Sequence, residues 1–378
     1  MKNTGEKMSN ILVTGGAGFI GSHTVDMLVE KGYNVTVLDN FERQVHMGKK
    51  PDYLNKRVNY IKGDVRFKRD WLKSLRGCEY VIHLAASVGV GQSFWEASKY
   101  LTVNTVGTSN LFEVLIKNKE VASEIKKVIV ASSKSLYGEG TYRCKEHGLF
   151  SPQQRKIESL RKKEWEVTCP VCGGETEPSG IKEDKEPQNL SPYAMSKYDT
   201  EKIALDYSEA LGIPTVALRY FNAYGPRQSL NNPYTGVLAI FLSRLKNNNR
   251  PFLYEDGKQM RDYVYVDDIA RINTNALERG EGVYNVATGK GTSLLRIVEL
   301  LNRSLGMSIE PEISEKFRIG DNRHDFGNVD RLTTDFGSLS FTRVEDGIEN
   351  LVEWGKTAVA KDSFLKQEEE RIMYVGGV

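Results

Sequence analysis

The chain has 378 residues, 39% of them hydrophobic, and its 52 basic and 50 acidic side chains leave a formal charge of only +2. That is enough apolar material for one large or two intermixed cores, and near-neutrality with no basic block interleaved with aromatics argues against a nucleic-acid footprint. Polar opening residues followed by a strand and glycines read as neither signal peptide nor membrane span, so a cytoplasmic protein is expected, and four cysteines are too few for a disulfide framework.

Residues 11–14 (Ile-Leu-Val-Thr) read as a buried parallel strand, and Gly15-Gly16-Ala17-Gly18-Phe19-Ile20-Gly21 follows at once, opening an amphipathic helix over 22–31. Glycines at such a turn let backbone amides and a helix N-terminus reach a pyrophosphate, which marks Gly15, Gly18, Phe19, Ile20 and Gly21 as dinucleotide contacts. A second strand over 33–38 closes on Asp39-Asn40, where a carboxylate accepts ribose hydroxyls and repels a 2′-phosphate, favouring NAD over NADP.

The strand–helix alternation continues. A strand over 58–62 leads to Asp64-Val65, with Asp64 expected near the adenine; one over 80–84 runs into the small residues Ala85-Ala86. Asn104, on the next helix, is either a structural hydrogen-bonder or a cofactor contact. A fifth strand over 127–131 ends in Ser132-Ser133, at the carboxyl edge where open α/β sheets bind ligands, so Ser133 is placed to hold a reacting oxygen.

Residues 141–183 interrupt this pattern. They carry Cys144-Lys-Glu-His147-Gly and Cys169-Pro-Val-Cys172-Gly, two short-spaced ligand pairs around a charged, helix-like run over 152–166. Cys144, His147, Cys169 and Cys172 are therefore read as a structural Cys3His zinc site, stapling a segment with few apolar residues.

Ser191 suits a helix N-cap and Pro192 the first helical position, so Tyr193 and Lys197 fall one turn apart on one face. A free phenol near pKa 10 needs a drop of about three units, roughly 4 kcal/mol, to ionise at neutral pH, and a neighbouring ammonium favours that form. Tyr193 is thus a candidate base. Beyond it, helices are expected over 237–247, 268–278 (capped by Asp267), 292–305 and 344–356, with strands at 251–254, 261–266 and 283–287, the last rejoining the sheet. The division that follows is a Rossmann domain over 9–224 with 262–288 returning to it, the 141–183 insertion, a smaller lobe over 225–261 and 289–356, and a charged tail over 357–378. The fold class is α/β, a doubly wound parallel sheet.

Together the glycine turn, Asp39, Ser133, Tyr193 with Lys197, Tyr220-Phe221-Asn222 and Arg261-Asp262-Tyr263-Val264 resemble the extended short-chain dehydrogenase/reductases that act on nucleotide-sugars, over about residues 10–355. Within that family the NAD-dependent 4-epimerases are most similar. The stretches 88–93, 135–140, 232–241 and 318–321 carry a finer resemblance to members acting on dTDP-L-rhamnose. Lys134-Ser135 stands where dehydratase relatives place an Asp-Glu pair, and Lys134 departs from the small residue of the galactose-type epimerases.

The resemblance implies a hydride shuttle at sugar C4, with Tyr193 as base, Ser133 on the oxygen, Lys197 on the nicotinamide ribose, and Ser132 and Tyr220 as further cofactor contacts. A nucleoside-diphosphate sugar would be gripped by Asn222, Arg261, Arg318 and Asp321, with Arg227 a weaker candidate. Arg323 and His324 line the site or cap a loop; His23, His46, His83 and Cys78 are structural. The resemblance also implies a homodimer through helices near 90–118 and 192–210, and it makes the interruption before Tyr193 more than twice as long as in galactose-type relatives. A UDP-hexose 4-epimerase, a ketosugar reductase and a non-catalytic dinucleotide sensor are the alternatives.

Overall fold

The computed structural model describes residues 8–232, 234–362 and 364–375. In chain order the strands are β1 (Asn10–Thr14), β2 (Asn34–Asp39), β3 (Asn59–Lys62), β4 (Tyr80–His83) and β5 (Lys127–Ser133), then β6 (Thr141–Cys144), β7 (Gly148–Phe150) and β8 (Thr176–Ser179) in the insertion. After it come β9 (Thr215–Tyr220), β10 (Asn222–Tyr224), β11 (Phe252–Leu253), β12 (Met260–Arg261), β13 (Tyr263–Tyr265), β14 (Gly282–Val286), β15 (Thr292–Ser293), β16 (Glu312–Ile313) and β17 (His324–Asp325). The central sheet is seven-stranded, in the order β14-β9-β5-β4-β1-β2-β3, and every pairing in it is parallel.

Parallel strands covered by helices on both faces bury most of their side chains, which is why the central strands β1, β4 and β5 read as apolar runs. Their two faces feed different cores. Ile11, Val13, Ile82 and Ile129 pack with the helix Phe19–Glu30 and with Ile269 and Ile272, while the intervening Leu12, Val81, Val128 and Val130 pack with Trp71, Leu111 and Phe112. A third core, around Phe241, Leu242, Leu301 and Leu351, belongs to the C-terminal elements.

The insertion is built differently. Antiparallel β7-β6-β8 forms a small sheet of its own, and the run 152–166 packs into a small apolar cluster of Leu160, Trp165 and Phe317, with Ile157 against it. Within that run only Ile157–Arg161 is helical, not the whole stretch expected from its charge pattern, because Arg155 and Glu166 are drawn into tertiary ion pairs on either side.

Two other expectations need correction. The helix after the glycine turn starts at Phe19, three residues early. The helix expected over 268–278 runs Val266–Asn275, so Asp267 lies within its first turn and instead meets His23 Nδ1 at 2.6 Å. The charged tail contributes a helix, Phe364–Val375; its last three residues and Met1–Lys7 lie outside the described residues.

Candidate active site

One continuous crevice of about 850 Å³ crosses the carboxyl edge of the sheet and runs from the glycine turn to Arg318. Its first wall is the turn after β1. Gly15 has φ +69° and its missing side chain would lie 2.8 Å from the Ala85 backbone, while a Cβ at Gly21 would stand 2.1 Å from the Gly15 carbonyl oxygen. Only glycines allow this fold-back, and it leaves the N-terminus of the helix Phe19–Glu30, with its unpaired amides and positive dipole end, facing the crevice. Asp39 is held by the Ala17 amide at 3.0 Å and the Phe41 amide at 2.8 Å. Asn40 donates to Asp64 at 3.2 Å, and both, with Val65, Ala85 and Ala86, line the same wall. A dinucleotide fits this cradle: small residues where backbone must approach, a helix N-terminus for phosphate, and an oriented carboxylate for ribose.

The middle of the crevice holds the candidate chemistry. Ser191 caps the helix Pro192–Leu211, its hydroxyl accepting the Ala194 amide at 3.1 Å, so Tyr193 and Lys197 face the crevice together. Ser133 stands at the end of β5, its Oγ accepting from the Ser135 amide at 3.2 Å and from the Ser135 hydroxyl at 2.9 Å, and it hydrogen-bonds Tyr193. The electrostatics differ from the expectation. Burial pushes the Tyr193 phenol up, with the Ser133 hydrogen bond opposing, and burial pushes the Lys197 ammonium down to about 8. The amine therefore stays mostly charged at neutral pH, while the phenol keeps its proton until something else in the crevice favours its loss. Lys197 is also near enough to His83 to join burial in holding that imidazole neutral, at about 3; His83 lies between Thr14 and Thr108 and is structural, as expected.

The far wall comes from the C-terminal elements. Asn222 opens β10, and its side-chain nitrogen is buried without a partner. Arg261 is aimed by the carbonyls of Met260, Arg323 and Asn322 at 2.8, 3.0 and 2.8 Å. Arg318 lies over the Tyr254 ring at 4.4 Å and pairs with Asp321 at 2.7 Å. Asp262, beside Arg261, is wholly buried and accepts from Thr288, Gly289 and Gly327; burial raises it to about 6 against those bonds. Lys134 projects between the two walls and meets Asp325 at 2.5 Å, so its charge is matched rather than free.

Residues 11–156 and 167–287 match the NAD dependent epimerase/dehydratase family. The chain belongs to that family. It is 33% identical to a dTDP-L-rhamnose 4-epimerase of Burkholderia thailandensis, over 91% of this chain and 94% of the other. Among solved structures, the UDP-glucose 4-epimerase of Thermotoga maritima, determined with UDP-glucose, superimposes with a TM-score of 0.75 at 32% identity, covering 92% of this chain and 98% of that one. The UDP-glucose 4-epimerase of Thermus thermophilus in complex with NAD gives 0.72 at 29%, covering 93% and 100%.

Against this epimerase/dehydratase frame, two candidate contacts fall away. Asn104 is 1% exposed and spends its whole carboxamide on Ser87, whose amide it accepts at 2.8 Å and whose carbonyl it reaches at 3.0 Å, and on Ser196 at 2.9 Å; it ties the β4 exit to the Tyr193 helix and does not line the crevice. Arg227 also lies outside, paired with Asp26 at 2.7 Å and resting on Tyr53. Ser132 and Tyr220 do line the crevice, but their hydroxyls are bound to Glu201 and Asn273. Arg323 and His324 do neither of the things expected: both are buried, and Arg323 is a hub for Glu166, Glu255 and Asp256.

Sequence reasoning missed Asp325, Arg155, Glu166 and Glu255, because a lone charged residue carries no local pattern. The four ligand residues of the insertion do converge: Cys144, His147, Cys169 and Cys172 offer atoms within 4.8 Å of one another.

Proposed function

We propose that this family member is an NAD-dependent nucleotide-sugar 4-epimerase, inverting C4 through a transient 4-ketosugar that stays in the crevice. The observation that carries the reading is the meeting of Tyr193 and Ser133 between a dinucleotide cradle and a wall of aimed arginines. NAD, held by the glycine turn, Asp39 and Lys197, would supply the hydride acceptor for C4. Tyr193 Oη takes the proton of the 4-hydroxyl and later returns it. Ser133, whose Oγ accepts from Ser135, turns the proton it shares with Tyr193 to the sugar oxygen when substrate enters. Lys197 holds the cofactor ribose and lowers the cost of the phenolate. Arg261, Arg318 and Asn222 grip the diphosphate, and Asp321 the nucleoside ribose, so the sugar itself can turn over between hydride departure and return.

The first reading of the substrate is dTDP-L-rhamnose and its C4 epimer, dTDP-6-deoxy-L-talose. A UDP-hexose is the second, favoured by the comparable similarity to an enzyme crystallised with UDP-glucose. With it we read a closed structural zinc at Cys144, His147, Cys169 and Cys172, uninvolved in the hydride chemistry, a homodimer, and a cytoplasmic setting. Exposed Val106 and Met195 on the two helices expected at the dimer interface support the assembly, and no helix among the described residues is long and apolar enough to cross a membrane.

The test is incubation of the purified protein with dTDP, UDP and GDP sugars without added reductant, following C4 configuration by NMR. Inversion with no net NADH change is expected; stoichiometric NADH consumption would make it a reductase, and dinucleotide binding without turnover of any sugar would make it a sensor.

A further inference from the structure

The inserted module has little to bury, and several of its polar contacts lead to one place. Its small apolar cluster is completed by Phe317, immediately before Arg318. Arg155, at one end of the run 152–166, donates to the Asp321 carbonyl at 2.9 Å and clasps Glu255 at 2.7 and 3.1 Å. Glu166, at the other end, meets Arg323, which is itself fully buried, and His324 Nε2 at 3.0 Å. Beyond β8, Ile181 exchanges backbone hydrogen bonds of 2.8 and 2.7 Å with Phe326 and Asn328. The stretch 317–328, which carries Arg318 and Asp321 into the crevice, is thus held along its length by the insertion.

The four ligand atoms say what holds the insertion. Cys144 Sγ lies 3.8 Å from Cys172 Sγ, and His147 Nδ1 lies 3.6 Å from both Cys144 Sγ and Cys169 Sγ. Zinc bonds of about 2.3 Å to sulfur and 2.0–2.1 Å to nitrogen, at tetrahedral angles, require S···S near 3.8 Å and S···N near 3.6 Å. A disulfide would need about 2.05 Å. The turns match knuckles: Gly148 and Gly173 have φ of +75° and +70°, and the Cys169 amide is bonded to the Gly174 carbonyl at 2.9 Å.

We infer that a zinc ion bound by Cys144, His147, Cys169 and Cys172, none of which lines the crevice, fixes the arm 152–168, whose Arg155 and Glu166 in turn position Arg318 and Asp321, making nucleotide-sugar affinity depend on that metal. The coupling rests on the assignment of Arg318 and Asp321 to the nucleotide-sugar site; the metal site does not. Because no hydrogen bond or ion pair among the described residues joins the arm to the glycine turn or Asp39, cofactor affinity is expected to be indifferent to the ion.

The test begins with metal content of the full chain, expected at one zinc per chain, and with cobalt replacement, expected to give thiolate charge-transfer bands. UDP, dTDP and NAD binding are then measured by calorimetry before and after removal of the metal by a thiol-competing chelator. Loss of metal should weaken nucleoside diphosphate binding about tenfold, inside the range usual for coupled sites, and leave NAD within twofold. Glu166→Gln, which keeps all four ligands, should retain zinc and weaken nucleoside diphosphates in the same direction. Protein that neither contains nor takes up a tetrahedral metal overturns the site. Metal removal that moves both ligands equally, or neither, overturns the coupling, and metal-loaded protein that binds no nucleoside diphosphate at all sinks the assignment of the arginine wall while leaving the zinc count standing.

Discussion

The crevice floor and the inserted module hold functional side chains still by opposite means. Under the glycine turn and Tyr193, the strands bury Ile11, Val13, Val81, Ile129 and Leu218 completely, so the strand ends are fixed by many undirected contacts. In the module, the apolar cluster beside the arm is small, Leu160 and Trp165 with the borrowed Phe317 and Ile157 against them, and position there is set by a few directed bonds around Arg155, Glu166 and Arg323. Burial spreads position over many contacts, although a single large-to-small change in it still costs about 2–5 kcal/mol. A scaffold of directed bonds is sensitive at each of its nodes, and it can be loosened without disturbing the sheet.

The largest expected effect lies in the crevice and should leave both scaffolds intact. Tyr193→Phe removes the proton acceptor but keeps the ring, so turnover should fall by about 10²–10⁴, while NAD binding and thermal stability remain. Steady-state rates with calorimetric NAD titration check this; normal turnover would refute the assigned base.

Next comes the module's node. Arg323 is 0% exposed and faces Glu255 at 3.1 Å and Asp256 at 2.7 Å. Arg323→Met would leave buried Glu255 with Arg155 alone and take the arginine from part-exposed Asp256, which puts the cost at about 3 kcal/mol, the low end for a broken buried ion pair. Urea unfolding should show that loss; a change below about 1 kcal/mol would mean that water reaches the node and that the ion pairs are ordinary surface ones.

Asn104→Ala is smaller and separates scaffold from cofactor contact. It leaves the Ser87 amide without its acceptor, for about 1–3 kcal/mol of stability, and NAD affinity should follow only as far as the loop loosens. A large loss of NAD affinity with unchanged stability would restore Asn104 as a direct contact.

The same contrast explains what could be read from residues alone. Sheet and cradle were legible because each strand is a local apolar run and the glycine turn, Asp39 and the Tyr193–Lys197 spacing are short patterns with one geometric meaning. The ligand pairs were legible for the same reason. The partners were not. Lys134 finds Asp325 across 191 positions, Arg227 finds Asp26 across 201, and nothing near any of the four specifies the other. Arg155 and Glu166 misled for a related cause: charges spaced for a solvated helix serve instead as tertiary latches, which shortens the helix to Ile157–Arg161.

Acid should set the two regions moving in opposite directions, with the smallest effect of the series. Asp262 beside the crevice has a folded pKa raised by burial to about 6. Between that value and its unfolded value near 4 the native state binds the extra proton, so this group adds stability as pH falls through the window. Glu166 is the reverse. Its hydrogen bond to His324, assisted by Arg323 against the cost of burial, holds it at about 2; its contribution is complete above the ordinary glutamate value and disappears as pH falls toward 2. Because its side chain is 61% exposed, solvent screening keeps that contribution under about 1 kcal/mol. Subtracting the pH–stability curve of Glu166→Gln from that of the parent should therefore leave a small difference at pH 7 that closes between about pH 4.5 and 2. A difference that persists unchanged at the acid end would mean that the latch works by shape and hydrogen-bond count, and that the module is less electrostatic than its contacts imply.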